Sequence, residues 1–294
     1  MADPRHFLTG EELAPDELGR LLDRALELKT GRESGEGNEA LAGKTVALFF
    51  ERPSTRTRVS FQVGVVELGA HPLALRADEL QLGRGESIAD TARVLSRFVH
   101  GIVMRSGSDE TVAELAEHAE VPVINGLTPL HHPCQALADL VTLLERFGEV
   151  AGLRVAYVGD GNNVARSLAI VGRAVGVDVV VAAPEGYRLE DGVATQTGDP
   201  LVAAAGAEAL YTDVWVSMGD EEDADARRAA LAPFQLNEAL MDAASDRAIA
   251  LHCLPAHPGE EITEGVLYGE RSAVWDQAEN RLHAQKALLE LLIG

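Results

Sequence analysis

The chain has 294 residues, 46% of them hydrophobic, enough for two domains of ordinary size with real cores. No apolar run approaches the ~20 residues of a membrane span, and the formal charge of −22 argues against nucleic acid or an anionic membrane as partner. Only Lys29, Lys44 and Lys286 among the 25 basic residues are lysines. With abundant Asp, Glu and Ala, this resembles proteins from salt-rich cytoplasm; an ordinary acidic protein with a solvated surface is the alternative. The opening residues lack the basic-then-apolar layout of a secretory leader. Cys134 and Cys253, far apart, read as site thiols or small buried residues and not as a disulfide framework, so the expected compartment is the cytoplasm.

The predicted elements begin with a helix over 15–29, whose Leu18, Leu21, Leu22, Ala25 and Leu28 share one stripe. Residues 31–40 are polar and Gly-containing and read as a loop. A buried strand over 44–50 precedes a helix that opens at Ser54-Thr55-Arg56-Thr57-Arg58 and continues through Val59, Val63, Val66 and Leu68 at near-helical spacing. Strand signals at 73–75, 101–104 and 122–125 alternate with helix signals at 88–98 and 110–120, the pattern of a parallel α/β domain. A helix over 134–147, stopped by Gly148, leads into a second series with strands at 153–158, 178–182, 209–211 and 248–251 and a last helix over 275–292. The expected fold class is α/β: two doubly wound domains with central parallel sheets joined by helices, with the active site in the cleft between them. Their bounds are 1–133, with the C-terminal helix 275–294 packing back on it, and 134–274, opening with the linking helix 134–147.

The run Ser54–Arg58 places three hydroxyls and two guanidiniums at the first turn of a helix behind a buried strand. Unpaired N–H groups and the dipole make such a terminus attractive to phosphate, and arginine adds forked donors. The plainer reading is a helix capped by Ser54 with solvated arginines. The acidic balance is compatible with an anion site, because the Debye length is ~8 Å at physiological ionic strength and ~3 Å at 1 M, while contacting arginines are not screened.

Gly159-Asp160-Gly161-Asn162-Asn163-Val164 is a partial dinucleotide fingerprint, with Val164 at the third glycine position; its asparagines suit an amino-acid head group. His131-His132-Pro133-Cys134-Gln135 and His252-Cys253-Leu254-Pro255-Ala256-His257 hold zinc-ligand types, but neither has a common ligand spacing. A cleft reading makes His132 and Gln135 donors toward a carbonyl and Cys253 a polarisable or proton-accepting group. Asp213, followed by Ser217-Met218-Gly219 and an acidic run, reads as part of a flap that pairs with an ammonium, or as a solvated loop.

Five separated motifs then agree. Ser54–Arg58, His132-Pro133-Cys134-Gln135, the segment from Asp213 to Met218, His252-Cys253-Leu254-Pro255 and Glu279-Asn280-Arg281 resemble the ornithine carbamoyltransferases, in order and at similar spacing over nearly the whole chain. The first motif belongs to the wider carbamoyltransferase superfamily. Cys134, the Ser217-Met218-Gly219 loop and the His252 motif select the ornithine branch over the aspartate branch. One departure is Thr128-Pro129-Leu130-His131, where an acidic residue is more usual.

The resemblance implies a carbamoyl-phosphate domain over 1–133 and an ornithine domain over 134–274. It places Ser54, Thr55, Arg56 and Thr57 on the phosphate and Arg105, His132, Gln135 and Arg281 around the carbamoyl group, with Cys253 and Leu254 near the reacting amine. Gln81 matches a position that reaches a neighbouring subunit's site in a trimer, or a multiple of trimers. Asn163, Asp213, Ser217 and Met218 correspond to the ornithine site. The implied reaction uses no cofactor and no metal, and Arg56, Arg105, His132 and Cys253 would carry it. The δ-amine of ornithine, with a free pKa near ~10.4, must be neutral to attack. Thr57, Arg105 and His132 would hold the oxyanion, and Arg56 the departing phosphate. The rivals are transfer to another amine such as putrescine or an acylated ornithine, a metal-dependent hydrolase built on the His/Cys clusters, and a non-enzymatic binding module.

Overall fold

Apolar runs with few polar breaks form the central strands of both halves. In the computed structural model, which describes residues 4–51, 54–76, 85–216 and 221–294, the chain divides into two units, Met1–Val141 with Asn280–Gly294 and Thr142–Glu279.

In the first unit, β1 (Thr45–Phe50) is buried at five of six positions, as a strand covered on both faces should be. It lies between β2 (His71–Arg76) and β3 (Gly101–Arg105), and β4 (Val123–Leu127) follows β3; all pairings are parallel, in the order β2-β1-β3-β4. Ala47, Phe49, Ile102 and Met104 pack with Val112 and Leu115 in one cluster. Helix α1 (Pro15–Glu33) buries the expected leucine stripe. It continues through Gly31 where a loop was expected, and Arg32 in the added turn pairs with Glu67, Nε to Oε1 2.8 Å.

Helix α2 (Thr55–Glu67) begins where the hydroxyl–arginine run predicted, but its buried face is Thr57, Phe61, Gly64 and Val65. Val59 and Val66, two of the apolar residues whose spacing predicted the helix, are 51% and 60% exposed. Gly64 explains the choice of face: a Cβ there would stand 3.2 Å from Lys286 Cγ and 3.4 Å from Leu282 Cδ1. Helices α3 (Ile88–Leu95) and α4 (Asp109–His118) start at Ser87 and Ser108, whose hydroxyls accept from Asp90 N and Thr111 N. Helix α5 (Pro133–Phe147) follows β4.

The second unit centres on β5 (Arg154–Val158), with β6 (Asp178–Ala182) and β7 (Thr195–Thr197) on one side and β8 (Ala209–Thr212) and β9 (Ile249–His252) on the other, all parallel. Its helices are α6 (Asn163–Ala174), α7 (Pro200–Ala204), α8 (Ala224–Leu231), α9 (Glu238–Ala243) and α10 (Glu264–Leu267), and α11 (Val274–Ile293) ends the chain. Strand order reverses between β1 and β3 in the first sheet and between β5 and β8 in the second. In open α/β sheets the carboxyl ends of the strands beside such a reversal form the binding crevice. Those ends lead to Ser54 and Arg105 in the first unit, and to Asn162 and Asp213 in the second.

Candidate active site

Ser54 precedes α2 in extended backbone, but its hydroxyl does not cap the helix. Its Oγ accepts from Arg105 Nη1 at 3.0 Å, which sets aside the plain capping role. Thr57, 1% exposed, accepts from Arg281 Nη2 at 2.6 Å and from Arg105 Nη1 at 3.5 Å. A hydroxyl has two acceptor lone pairs and one hydrogen. With both lone pairs facing guanidiniums, the Thr57 hydrogen remains to be donated, which suits an anion. Thr55 and Arg56 are exposed on the same first turn. Glu51, just after β1, ties the neighbouring strand ends together, its Oε2 accepting from Ser106 Oγ at 2.6 Å and Gly107 N at 2.8 Å.

His132 is buried before α5, and its carbonyl accepts from Gln135 N at 3.0 Å. Its pKa is held well below the usual histidine value, first by burial and then by the positive charges of Arg281, Arg105 and Arg56. The ring is therefore neutral at physiological pH. His132, Arg281, Arg105 and Arg56, four residues expected in the carbamoyl-phosphate site, thus share one electrostatic neighbourhood. Gln135, 1% exposed, donates Nε2 to Asp139 Oδ1 at 2.8 Å. Its Oε1 has no hydrogen-bond partner among the described residues, so the atom it offers a ligand is an acceptor, suited to an amide N–H. Cys134 is pushed up to about 12 by burial and stays a thiol, donating to Asn125 O at 3.3 Å.

In the second unit, the loop after β5 needs glycine for close approach: a Cβ on Gly161 would lie 2.7 Å from Tyr187 O and 2.8 Å from Leu189 N. Asn162 caps α6, its Oδ1 accepting from Val164 N and Ala165 N at 3.0 and 3.2 Å and from Tyr157 Oη at 3.0 Å. Its Nδ2 donates to Asp213 Oδ2 at 2.8 Å, and Cys253 Sγ donates to Asp213 Oδ1 at 2.9 Å. The Tyr157 hydroxyl is held well above its usual pKa by burial, then by Asp213, Cys253 and Asp160.

After β9, His252 Nδ1 accepts from Leu254 N at 2.9 Å, so Nε2 carries the proton and donates to Glu261 Oε1 at 3.0 Å. Leu254 has φ 59°, the one positive value for a non-glycine among the described residues. A branched side chain in that region is strained, a state found most often at ligand sites.

The sequence matches two family models in succession: the carbamoyl-phosphate-binding domain of the aspartate/ornithine carbamoyltransferases over residues 5–145, and their aspartate/ornithine-binding domain over residues 151–292. The chain belongs to the aspartate/ornithine carbamoyltransferase family. Among similar members is the ornithine carbamoyltransferase of Anoxybacillus flavithermus, 51% identical over 98% of this chain and 96% of that protein. The anabolic ornithine carbamoyltransferase of Pyrococcus furiosus is 49% identical over 99% of this chain and 96% of that protein. The solved ornithine carbamoyltransferase from Pyrococcus furiosus superposes with a TM-score of 0.95, at 48% identity, over 99% of this chain and 98% of that one. The structure from Thermus thermophilus gives 0.91, at 46% identity, over 99% of each chain.

As a carbamoyltransferase, the chain brings Ser54, Thr57, Arg105, Arg281 and His132 into one network in the first unit, with Thr55, Arg56 and Gln135 on the same two helix starts. In the second unit Asp213 and Cys253 are in direct contact, with Leu254 next in the chain and Asn163 at the first position of α6. Gln81, Ser217 and Met218 lie outside the described residues. The sequence reading places Asn163 on ornithine; it does not give Asn162 its task of holding Asp213, nor single out Tyr157 behind it.

It also missed Arg227 of α8, which donates Nε to Trp215 O at 2.7 Å, pairs with Asp160 and lies over the Tyr187 ring at 5.1 Å. Among the described residues, two groups have metal-ligand types close together, Asp213 with His252 and Cys253, and His257 with Glu260 and Glu261. In the first, both ring nitrogens of His252 are already committed, and Cys253 is committed to Asp213.

Proposed function

We infer that this chain transfers the carbamoyl group of carbamoyl phosphate to the δ-amine of L-ornithine, giving L-citrulline and phosphate. The observation that carries the reading is the neutral His132 set among Arg56, Arg105 and Arg281, beside hydroxyls whose lone pairs face guanidiniums. A neutral imidazole can donate to a carbamoyl oxygen while three guanidiniums supply the positive field for a dianion. Gln135 Oε1 would accept from the carbamoyl NH₂. Ser54, Thr55, Arg56 and Thr57 would bind the phosphate, with residues 1–133 as its domain and 134–274 as that of ornithine.

Asp213, with Asn163, Ser217 and Met218, would bind the amino-acid head of ornithine. Cys253, donating to Asp213, and the strained Leu254 backbone would face the attacking amine. The ammonium gives up one proton to solvent to become a nucleophile; attack on the carbamoyl carbon gives a tetrahedral oxyanion for Thr57, Arg105 and His132 to hold, and the second proton of the attacking nitrogen passes to the departing phosphate. The C–O bond to phosphate then breaks, and Arg56 with the α2 N-terminus takes up the charge. No cofactor enters these steps.

A trimer is proposed because β2 is an edge strand and α2 exposes Val59 and Val66 beside it, an apolar strip that a neighbouring copy would cover, with Gln81 completing the neighbour's site. The anabolic relative favours citrulline formation for arginine synthesis. A salt-rich cytoplasm is proposed from the scarce lysine and excess acid; no helix of the described residues is long and apolar enough to cross a membrane.

The test is a colorimetric citrulline assay with carbamoyl phosphate and ornithine, putrescine or N-acetylornithine in parallel, in low and molar salt. Citrulline from ornithine at rates well above the other acceptors is expected. No product from ornithine in either salt would sink the reading.

A further inference from the structure

The turn that delivers His132 is Thr128-Pro129-Leu130-His131, and it contains no acid of its own. Proline removes one of its backbone donors, and Thr128 N is spent on His131 O at 2.8 Å. What fastens the turn is a carboxylate from another element. Asp109, at the start of α4, accepts from Thr128 Oγ1 at 2.5 Å and His131 Nδ1 at 2.9 Å through Oδ1, and from Leu130 N at 3.0 Å through Oδ2. A carboxylate so close can only accept, so His131 carries its proton on Nδ1. Asn125 Nδ2 donates to Thr128 Oγ1 at 3.0 Å, which leaves the threonine hydrogen for Asp109. The side chains of His131 and Asp109 are 14% and 21% exposed, so water competes only weakly for these bonds.

We propose that Asp109 is a positioning residue for the carbamoyl end of the site, fixing the 128–131 turn and through it the orientation of His132; the proposal rests on the carbamoyl-transfer reading. Asp109 need not touch substrate. Its three contacts fall on the four residues immediately before His132, whereas the phosphate-binding candidates Ser54–Thr57 lie at the start of α2 and share no hydrogen bond with it among the described residues. Loss of Asp109 should therefore separate two affinities that a general loosening would move together.

The experiment compares wild type, Asp109→Ala and Asp109→Asn. It uses citrulline kinetics and calorimetric titration with carbamoyl phosphate and, separately, with inorganic phosphate; thermal melts check the fold. Asp109→Ala should raise KM and Kd for carbamoyl phosphate roughly 10–30-fold, within the range a small misplacement of a binding group produces. The Kd for inorganic phosphate should stay within about twofold. Asp109→Asn keeps one acceptor oxygen but turns an amide donor toward a donor, and should fall between. If Asp109→Ala does not fold, Thr128→Val removes one of the three donors and should raise the carbamoyl-phosphate Kd about 3-fold. An unchanged carbamoyl-phosphate Kd in a folded variant, or an equal loss for both ligands, overturns the proposal. A wild type that binds both ligands yet makes no citrulline would overturn the transfer reading while leaving the calorimetric comparison to decide on Asp109.

Discussion

His132 in the first unit is held neutral because burial and the cations Arg281, Arg105 and Arg56 all disfavour its proton. Tyr157 in the second unit keeps its proton because burial, Asp213, Cys253 and Asp160 all disfavour its loss. A chain of net charge −22 thus holds one cluster centred on guanidiniums and another centred on a carboxylate, each built from contacts of a few ångströms. Net charge therefore says little about what a site binds, because distant acids are screened by salt while contacting groups are not. The first potential suits a phosphate-bearing substrate and the second an ammonium.

The sharpest way to break the contrast is to remove a cation from the first unit. Arg105→Ala takes donors from Ser54 and Thr57 and lifts part of the field on His132. It should lower kcat/KM for citrulline formation by about 10²–10³-fold, the usual cost of losing one preorganised donor. Circular dichroism should match wild type; a loss of less than threefold would mean that the positive field is not used. In the second unit, Asp213→Asn removes the charge while keeping a polar group beside Asn162 and Cys253. Ornithine KM should rise on the order of 10–100-fold, with carbamoyl-phosphate affinity unchanged by calorimetry. Tyr157→Phe is milder, since Asn162 Oδ1 keeps its two backbone donors. A rise in ornithine KM of about 2–10-fold is expected from one lost hydrogen bond, and none at all would detach Tyr157 from the site.

How much of this was legible in the sequence depended on how local the cause is. The start of α2 and the strands β1, β5, β6 and β9 were readable because burial and hydroxyl–arginine density are properties of adjacent residues. The buried face of α2 was not: Val59 and Val66 look apolar in sequence, but Gly64 permits close approach to Lys286 and Leu282 from the far end of the chain, and so turns the helix. Helices α7, α9 and α10, of 5, 6 and 4 residues, and β7, of 3, are too short to show a period.

The lysine shortage was plain, but not what the three lysines do. Lys29 binds Asn280 Oδ1 at 3.0 Å, Lys286 binds Glu67 Oε2 at 2.8 Å, and Lys44 reaches the carbonyls of Ile293 and Gly294. Arg227, Asp109 and Tyr157 escaped notice because their partners lie 12 or more residues away or belong to an asparagine read only as suiting an amino-acid head group. Motif reading finds groups that must be near a ligand and misses those that hold them.

The contrast between the units also predicts which end of the pH scale harms each. His283, fully buried, is depressed to about 4 by burial and by Lys286, Lys29 and Arg32, and His132 is depressed well below 6.5. Both bind protons more weakly in the folded state than in the unfolded one. Their contribution to stability is therefore complete above pH 6.5 and is lost as pH falls toward 4. Tyr157 has the opposite sign: its folded pKa is raised above 10.0, so its contribution is complete below that pH and is lost as pH rises through and beyond it.

His283→Asn should consequently flatten the acid side alone. The drop in Tm between pH 7 and pH 5 should shrink by about 2–4 °C relative to wild type, the shift that ~1 kcal/mol produces in a chain of this size. The alkaline limb should not move, whereas Tyr157→Phe should soften the fall above pH 10 and leave the acid limb alone. Parallel acid limbs for His283→Asn and wild type would show that the first unit's positive interior does not reach this far along α11.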